Sequence, residues 1–252
     1  MILQYASDLH LEFNENKAYM DKYPLQPTGE ILILAGDIVP FAMIDNVADF
    51  FSYISDHFKT TYWIPGNHEY YHYDLATKSG SFIEQIRSNV FLLNNTSIEL
   101  EDCVLIFSTL WSRITPQHEK QLVQAMNDFR LIRYNQSQFT AHQLNGLNIE
   151  NASFLEKELS KPSNLKRVVI THHVPTFINA PQKYHGSVLY EALGVELSML
   201  IERTEPDYWI YGHTHRNNSD FKICKTSLLT NQMGYVLKNE HQLFKTNKTI
   251  TL

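Results

Sequence analysis

The sequence predicts an α/β or α+β fold built on a layered β-sheet, and three observations support this class. Short runs rich in β-branched and aromatic residues alternate with longer amphipathic stretches, which is typical of strands and helices packed in layers. The length of 252 residues, with 43% hydrophobic residues, allows a substantial core. The charged fraction of 19% is too low for a disordered or coiled-coil chain. We therefore expect one domain over residues 1–252.

The clearest strand-like runs are those that end in polar residues. They cover residues 2–6, 31–34, 61–64, 167–171 and 208–211. Further strands are predicted at 90–93, 98–100 and 104–108, and hairpins of a second sheet from residue 220 onward. Amphipathic spacing predicts helices over 45–57, 81–88, 116–129 and 188–203, and over 141–159 with a break near Gly146.

Five polar clusters follow five of these strands. They are Asp8 with His10, then Asp37, then Asn67 with His68 and Glu69, then His172 with His173, and finally His213 with His215. In layered α/β folds ligands bind at the carboxyl ends of the strands, because the sheet fixes where the variable loops begin. We therefore expect these clusters to meet in one site.

The chemistry of these clusters points to metal ions. The candidate ligands are two carboxylates, four imidazoles and one carboxamide, namely Asp8, His10, Asp37, Asn67, His172, His213 and His215. Such a set suits Mn²⁺, Fe²⁺/³⁺ or Zn²⁺, whereas a calcium site needs more oxygen atoms. In an extended segment residues i and i+2 point to the same side, so the paired ligands would converge. The glycines before Asp37, Asn67 and His213 would permit tight or positive-φ turns against the ions.

In order along the chain, the motifs are D-x-H, Gly-Asp, Gly-Asn-His-Glu, a His pair and G-H-T-H. This set resembles the calcineurin-like metallophosphoesterase superfamily, and the patterns at 5–13 and 126–128 resemble a bacterial group of small single-domain phosphohydrolases. The resemblance implies a four-layer β-sandwich of two mixed sheets flanked by helices. It also implies two divalent or trivalent metal ions (Mn, Fe or Zn). The first would be held by Asp8, His10, Asp37 and His215, and the second by Asp37, Asn67, His172 and His213.

The resemblance further implies an enzyme that hydrolyses phosphoester bonds of small molecules, nucleotides included, as a phosphodiesterase or phosphomonoesterase. A metal-bound hydroxide would be the nucleophile, His68 would protonate the leaving oxygen, and Asn67 and Asp37 would be the other catalytic residues. Chemistry alone also favours His68, because an imidazole beside a metal ligand titrates near working pH. A turn or capping role is the other interpretation of His68. For His173, packing and substrate contact both stay open.

Two other functions remain open at this point. A non-catalytic metal-binding scaffold of the same fold would usually lack part of the ligand set or the histidine at position 68, and both are present here. A nuclease or a protein phosphatase would act on a large substrate. The net charge of −6 and the lack of a Lys/Arg-rich stripe disfavour nucleic acid. We therefore expect a small phosphoester substrate, and the sequence leaves the oligomeric state open.

A cytoplasmic protein without a membrane partner is expected. The first residues form a strand-like run rather than a basic segment followed by an apolar one, and no apolar stretch approaches the length of a bilayer span. The two cysteines, Cys103 and Cys224, lack a metal or redox spacing and are predicted to be buried free thiols.

Three features each allow two interpretations. Residues 111–149 form either a lid beside the site or a helical cover on the sheet. Arg130 and Arg133 either clamp a second phosphate or are surface charges. The aromatic cluster at 70–73 either stacks a nucleobase at the rim of the site or packs in the core.

Overall fold

The computed structural model describes residues 1–179 and 186–252. Its first sheet has six strands. In spatial order they are β14 (Thr249–Thr251), β1 (Ile2–Ala6), β2 (Ile31–Ala35), β3 (Thr60–Ile64), β5 (Val90–Asn94) and β4 (Phe82–Arg87). The four central strands run parallel, and the two edge strands pair antiparallel to their neighbours.

The second sheet has the same plan. In spatial order its strands are β12 (Phe221–Ile223), β13 (Thr226–Leu229), β11 (Tyr208–Ile210), β10 (Lys166–Thr171), β7 (Cys103–Ser108) and β6 (Thr96–Glu99). Again four parallel strands lie between two antiparallel edge strands. A short ribbon pairs β8 (Arg133–Tyr134) with β9 (Ser137–Gln138).

The two sheets pack face to face because successive residues of a strand point to opposite sides. In β2, Ile33 belongs to the core between the sheets, which also contains Phe107 and Ile170 of the second sheet. Its neighbours Leu32 and Leu34 belong to the core on the outer side of the first sheet. The predicted sandwich of two mixed sheets is confirmed.

Helices cover both outer faces, which completes four layers. The helices are α1 (Asn14–Lys22), α2 (Ala48–His57), α3 (Glu119–Ala125), α4 (Asp128–Leu131), α5 (Ala141–Leu159), α6 (Tyr190–Leu193) and α7 (Ser198–Thr204). Phe51 and Ile54 of α2 pack on the first sheet. Leu155 of α5 and Ile201 of α7 pack on the second. None of the helices in the described ranges is both long and apolar enough to cross a bilayer.

The helix predicted over 81–88 is wrong, because these residues form β4, antiparallel to β5. Phe82 and Ile86 both pack against the outer core of the first sheet. Residues i and i+4 share one face in a helix and also in a strand, so their spacing fits both. The tight turn at residues 88 and 89 brings β4 beside β5, and strand pairing decides the outcome.

The other helix predictions differ in extent. Residues 116–129 form the two short helices α3 and α4, and 45–57 begin as a 3-10 helix before α2. No break occurs at Gly146, because α5 starts at a capping box of Thr140 and Gln143 and buries leucines on both sides of the glycine. Over 188–203 the helix is interrupted at Gly194, whose backbone bridges to Val174; a Cβ at Gly194 would lie 2.0 Å from the Val174 carbonyl oxygen.

The segment after residue 220 divides between the sheets. The hairpin of β12 and β13 joins the second sheet as predicted, but β14 lies in the first sheet beside β1. Cys103 is buried as predicted, whereas Cys224 is exposed in the turn of that hairpin, and both are free thiols. In the segment 111–149, Phe129 and Phe139 join the outer core of the first sheet. A lid function for this segment stays a prediction.

Candidate metal centre

All seven predicted ligands lie in loops that directly follow parallel strands. Asp8 and His10 follow β1, Asp37 follows β2 and Asn67 follows β3, while His172 follows β10, and His213 and His215 follow β11. In three groups of described residues, candidate ligand atoms lie within 4.8 Å of one another. Two groups consist of predicted ligands, namely Asp8, His10, Asp37 and His215, and Asp37, His172 and His213; the third consists of His10, Glu12 and His68. Asn67 adjoins the second group. The structure therefore brings together residues that are up to 207 positions apart, from 8 to 215.

Five of these residues have a left-handed backbone. The φ angles are 56° at Asp8, 48° at His10, 55° at Asp37, 75° at His213 and 52° at His215. The extended geometry predicted for the D-x-H and G-H-T-H pairs is therefore wrong, since each strand ends before its ligands. Residues other than glycine pay about 1–3 kcal/mol for such conformations, so five of the seven candidate ligands are held in strained backbone.

The glycines before three of the ligands permit close approach. A Cβ at Gly36 would lie 2.4 Å from His172 Nδ1, one at Gly66 would lie 2.2 Å from Asp37 Oδ1, and one at Gly212 would lie 2.6 Å from Asp8 Oδ2. Only Gly36 also has a positive φ, of 88°. All three positions therefore require a residue without a side chain because a neighbouring side chain lies so close. Only Gly36 is needed for its left-handed backbone as well.

The first group contains two imidazoles that face each other. His10 Nε2 lies 2.9 Å from His215 Nε2. His10 Nδ1 lies 3.1 Å from the Glu12 carboxylate, and His215 Nδ1 lies 2.8 Å from the Glu240 carboxylate. Since an ionised carboxylate only accepts hydrogen bonds, each Nδ1 donates to its carboxylate, and the two Nε2 atoms are left facing each other. Two lone pairs at this distance repel each other, so the two nitrogens need a shared proton or a metal ion bound to both.

The second group repeats this arrangement. His172 Nδ1 lies 3.0 Å from the Ala35 carbonyl oxygen and donates to it, so Nε2 is the ring nitrogen that faces the centre. Around Nε2 lie Asn67 Oδ1 at 3.2 Å, Asp37 Oδ2 at 3.3 Å and His213 Nδ1 at 3.2 Å. Four atoms that can each bind a metal ion therefore lie close together.

The partners of Asn67 and His213 fix which of their atoms face this point. Asn67 Nδ2 donates to Asp128 Oδ1 over 2.8 Å, which turns Oδ1 toward His172. His213 Nε2 lies 3.2 Å from the Ala192 carbonyl oxygen, which assigns the proton to Nε2 and leaves Nδ1 as an acceptor.

Asp37 lies between the two groups. Its Oδ2 is 3.3 Å from His172 Nε2 and 3.7 Å from His10 Nε2, while its Oδ1 accepts from the backbone N–H of His68 over 2.9 Å. Burial raises the pKa of Asp37, but His172 and His68 hold it well below the usual value. An ionised carboxylate at this position matches the bridging role that the family resemblance implies.

The charges of the buried residues also fit cations. Burial lowers the pKa of His172, yet the nearby Asp37 raises it to about 10. By contrast, burial and neighbouring imidazoles lower the pKa of His10 and of His213. The carboxylates thus favour positive charge at a place where several imidazoles stay neutral, and first-row metal ions satisfy both conditions.

His68 lies beside this centre but belongs to neither of the two groups of predicted ligands. Its Nδ1 donates to Glu12 Oε1 over 2.9 Å, and its Nε2 lies 3.5 Å from the Tyr235 hydroxyl. Burial lowers the pKa of His68, but Asp37 and Glu12 raise it to about 9. The ring is therefore protonated at neutral pH and has an acidic N–H at Nε2.

Glu12 is a functional residue that the sequence reasoning missed. Its Oε1 accepts from both His10 and His68, and these hydrogen bonds lower its pKa to about 2 although burial raises it. One carboxylate oxygen therefore fixes the tautomers of a candidate metal ligand and of the candidate acid. The sequence could have indicated Glu12, because this carboxylate follows the His of the D-x-H motif by two residues.

Two further carboxylates hold ligands in place. Asp128 accepts from Asn67 and from the Tyr71 hydroxyl, which lies 2.9 Å away. Glu240 accepts from His215 and from the backbone N–H of Tyr235, 2.9 Å away. Partners of this kind tune metal affinity. Neither residue is near its ligand in sequence, so no local pattern could have assigned it.

Glu69 is a structural residue in this arrangement. Its carboxylate accepts from the backbone N–H groups of Asp37, Ile38 and Gly66 and from Trp63 Nε1, over 2.6 to 3.1 Å. The loops after β2 and β3 are thereby joined through one buried side chain. Orientation of the backbone, rather than a chemical step, is the role its contacts support.

The paired histidine 173 takes no part in the convergent cluster. His173 Nδ1 lies 3.3 Å from the Thr109 carbonyl oxygen, and its ring packs 4.3 Å from that of His213. Burial and His172 lower its pKa to about 3, so it is neutral. Within residues 1–179 and 186–252, its Nε2 has no hydrogen-bond partner. Of the two interpretations of His173, its contacts support packing, against the ring of the candidate ligand His213.

Of the remaining sequence candidates, Tyr71 lies at the centre, with its ring centroid 4.1 Å from that of His68. Tyr70 is buried against Phe41, and Tyr71 is buried with its hydroxyl on Asp128, so neither is free at the rim to stack a nucleobase. Arg130 and Arg133 are exposed. Arg130 bonds to residues of its own segment, the Gln124 carbonyl oxygen and Asn127.

Comparison with known proteins gives a consistent result. A family model described as calcineurin-like phosphoesterase matches residues 5–217, which include every candidate ligand. The chain is 32% identical over 260 residues to the uncharacterized protein L509 of Acanthamoeba polyphaga mimivirus, covering 93% of this chain and 91% of that protein. The structure of phosphopantetheinyl hydrolase (PptH) from Mycobacterium tuberculosis aligns with a TM-score of 0.68 at 14% identity, covering 98% of this chain and 95% of the other, which is a likeness of fold. The predicted family is confirmed, and the chain belongs to the calcineurin-like phosphoesterases.

Proposed function

We propose that this chain is a metal-dependent phosphohydrolase that cleaves phosphodiesters or phosphomonoesters of small molecules, nucleotides among them. Two Mn, Fe or Zn ions would be held by the seven candidate ligands. The observation that carries this proposal is the pair of clusters of carboxylate and imidazole atoms that share Asp37, because such atoms, brought this close together, suit first-row metal ions. Membership of the phosphoesterase family supports the same chemistry.

Each residue around the ions has a separate role in this reaction. When bound, two such ions would supply a nucleophilic water near neutral pH and positive charge against the phosphoryl oxygens. Glu12 and Glu240 hold the imidazoles of His10 and His215 in the tautomer that leaves Nε2 free. His68 holds a proton at Nε2 and transfers it to the departing alcohol oxygen, a role worth about 10²–10⁴ in rate for general acids.

Solvent reaches the centre on the side where His68 lies. The side chains of His68 and His215 are 11% and 12% exposed, whereas those of Asp8, His10 and His172 are fully buried. A substrate that reaches the clusters from this side meets the acid directly. Proton transfer to the leaving group then needs no rearrangement of buried residues.

The test is reconstitution of metal-free protein with Mn²⁺, Fe²⁺ or Zn²⁺ and assay on mono- and bis-p-nitrophenyl phosphate. We expect activity in the wild type and almost complete loss in Asp37→Ala with loss of bound metal. In His68→Ala, with metal retained, we expect a small loss on the p-nitrophenyl esters and a large loss on phenyl phosphate, because phenolate needs protonation as it leaves. Asp56→Ala and His142→Ala, at exposed helix positions, are matched controls that should keep full activity. If wild type and Asp37→Ala were equally inactive with every metal, the proposal would fail.

The same experiment separates the alternative functions. A non-catalytic scaffold would bind metal in wild type and His68→Ala alike and hydrolyse neither ester. A nuclease or a protein phosphatase would hydrolyse single-stranded DNA, RNA or a phosphopeptide with a far higher kcat/KM than either small ester. Including these three substrates in the panel therefore identifies each case.

A further inference from the structure

A strip of apolar side chains runs outward from the candidate metal centre. Its inner member is Tyr235, whose ring centroid lies 4.5 Å from that of His215 and 4.8 Å from that of His10. Phe13 packs next to it, with ring centroids 5.3 Å apart. Leu237 continues the strip two residues beyond Tyr235. Direct contact with two candidate ligands connects this surface to the site.

These side chains line an open cavity of about 290 Å³ together with Glu15, Asn16 and Lys238. Phe13 is 41% exposed and Leu237 is 72% exposed. Exposed apolar side chains that cluster around a concavity mark a binding surface more often than scattered ones do. The volume exceeds the roughly 150 Å³ that is enough to bind benzene, so one or two aromatic rings fit.

The position of Tyr235 indicates which part of a substrate this cavity would receive. Its hydroxyl lies 3.5 Å from His68 Nε2, the atom that would protonate the leaving oxygen. The leaving group must therefore lie beside Tyr235 when its oxygen receives the proton. From there the rest of the leaving group extends over Phe13 and Leu237.

The shape and charge of the cavity favour an aromatic group. The rings of Phe13 and Tyr235 meet at an interplanar angle of 89°, so an inserted ring can stack on one and meet the other edge to face, both of which are favourable. Lys238 Nζ lies 4.6 Å from the Tyr235 ring centroid. Glu15 and Lys238 contribute one charge of each sign to the rim, which suits a neutral ring better than a second phosphate.

We propose that Phe13, Tyr235 and Leu237 form the binding site for an aromatic leaving group of the phosphoester, an aryl or nucleobase ring. This inference rests on the proposed function, since it assigns the substrate class of the same centre. Phe13 and Leu237 determine specificity, and they bind the leaving group without touching the reacting atoms.

The hydrolysis test compares 1-naphthyl phosphate with 2,2,2-trifluoroethyl phosphate, each as the monoester and as its methyl diester. In Phe13→Ala and in Leu237→Ala, the ratio of kcat/KM for the naphthyl over the trifluoroethyl ester should fall about 2- to 10-fold relative to wild type. The different chemical reactivities of the two leaving groups do not affect the result, because the ratio in each variant is divided by the same ratio in wild type. Ile83→Ala is the matched control, since Ile83 is 57% exposed on the far edge strand of the first sheet.

A binding measurement keeps the two proposals separate. The phosphonate 1-naphthylmethylphosphonate cannot be hydrolysed, so its Kd for the Mn²⁺-loaded protein reports the cavity even if no ester is cleaved. We expect this Kd to rise about 2- to 10-fold in Phe13→Ala and Leu237→Ala, with the Kd of methylphosphonate unchanged. If wild type cleaves no ester but the naphthyl Kd rises as expected, only the proposed function fails. Unchanged naphthyl binding in both variants, or the same loss in Ile83→Ala, would overturn the aromatic site.

Discussion

Glu12→Gln is the substitution that tests the assignment of His68 most specifically. The change keeps the shape of the side chain but removes the charge from the acceptor that lies 2.9 Å from His68 Nδ1. A hydrogen bond to a buried charged group contributes about 1.5–3 kcal/mol, which corresponds to a factor of roughly 10–150 in rate. Because Glu12 raises the pKa of His68, the variant should also lose its acid at a lower pH. The alkaline limb of its pH profile should therefore move to lower pH.

The assay is kcat at saturating Mn²⁺ for phenyl and p-nitrophenyl esters. Phenolate needs protonation as it leaves, whereas p-nitrophenolate is stable without it, so the phenyl ester should lose the full factor and the p-nitrophenyl ester little. Glu12 also accepts from His10, but a defect in metal binding would slow both esters equally. Glu30→Gln, at an exposed position, is the control. Equal losses for the two esters would refute the role of Glu12 in orienting the acid.

Three further outcomes are expected. Removing metal with EDTA should destabilise the wild type, and Mn²⁺ at 100 times its Kd should restore about 2.7 kcal/mol, a rise in Tm of roughly 5–10 °C; a similar rise in Asp37→Ala would contradict metal binding at this site. Asp128→Ala frees the Asn67 carboxamide and should weaken one of two metal-binding steps about 10- to 100-fold in isothermal titration, and an equal change in both steps would argue against its role. Glu196 has a lowered pKa because, against the effect of burial, two backbone N–H groups donate to it; its stabilisation is full above a pH of about 4.5 and lost below the lowered pKa, so Glu196→Gln should be less stable than wild type in urea near pH 7 and equal to it near pH 2.

Much of the fold followed from local sequence. The buried central strands are continuous apolar runs, as in β2 (Ile31–Ala35), where all five residues are buried, and such runs are distinctive. The pattern failed where tertiary contacts decide between two structures. Residues 82–87 pair as a strand because β5 lies beside them, and Gly146 stays helical because the packing of its neighbours outweighs its low propensity.

The candidate site likewise has features that the sequence predicts and features that only the fold determines. The ligands were identifiable because each follows a strand in a short motif, so side-chain type and position carry the signal. The left-handed backbone at Asp8 and His10 was not predictable from the sequence. It arises because the loops after β1 and β2 bond to each other, with Asp8 N–H donating to the Gly36 carbonyl oxygen. Glu240 and Tyr235 reach the centre only through the fold, so no sequence spacing links them to His215.

The presence and position of the metal ions are the central claim, and anomalous scattering from crystals soaked in Mn²⁺ tests it most directly. Two peaks are predicted. One should lie between His10 Nε2 and His215 Nε2, and the other among His172 Nε2, Asn67 Oδ1 and His213 Nδ1, with Asp37 in contact with both. The account would be contradicted by the absence of peaks at these positions, or by a peak on the Glu12 side of His10, where His10 Nδ1, Glu12 and His68 also lie close enough to hold an ion.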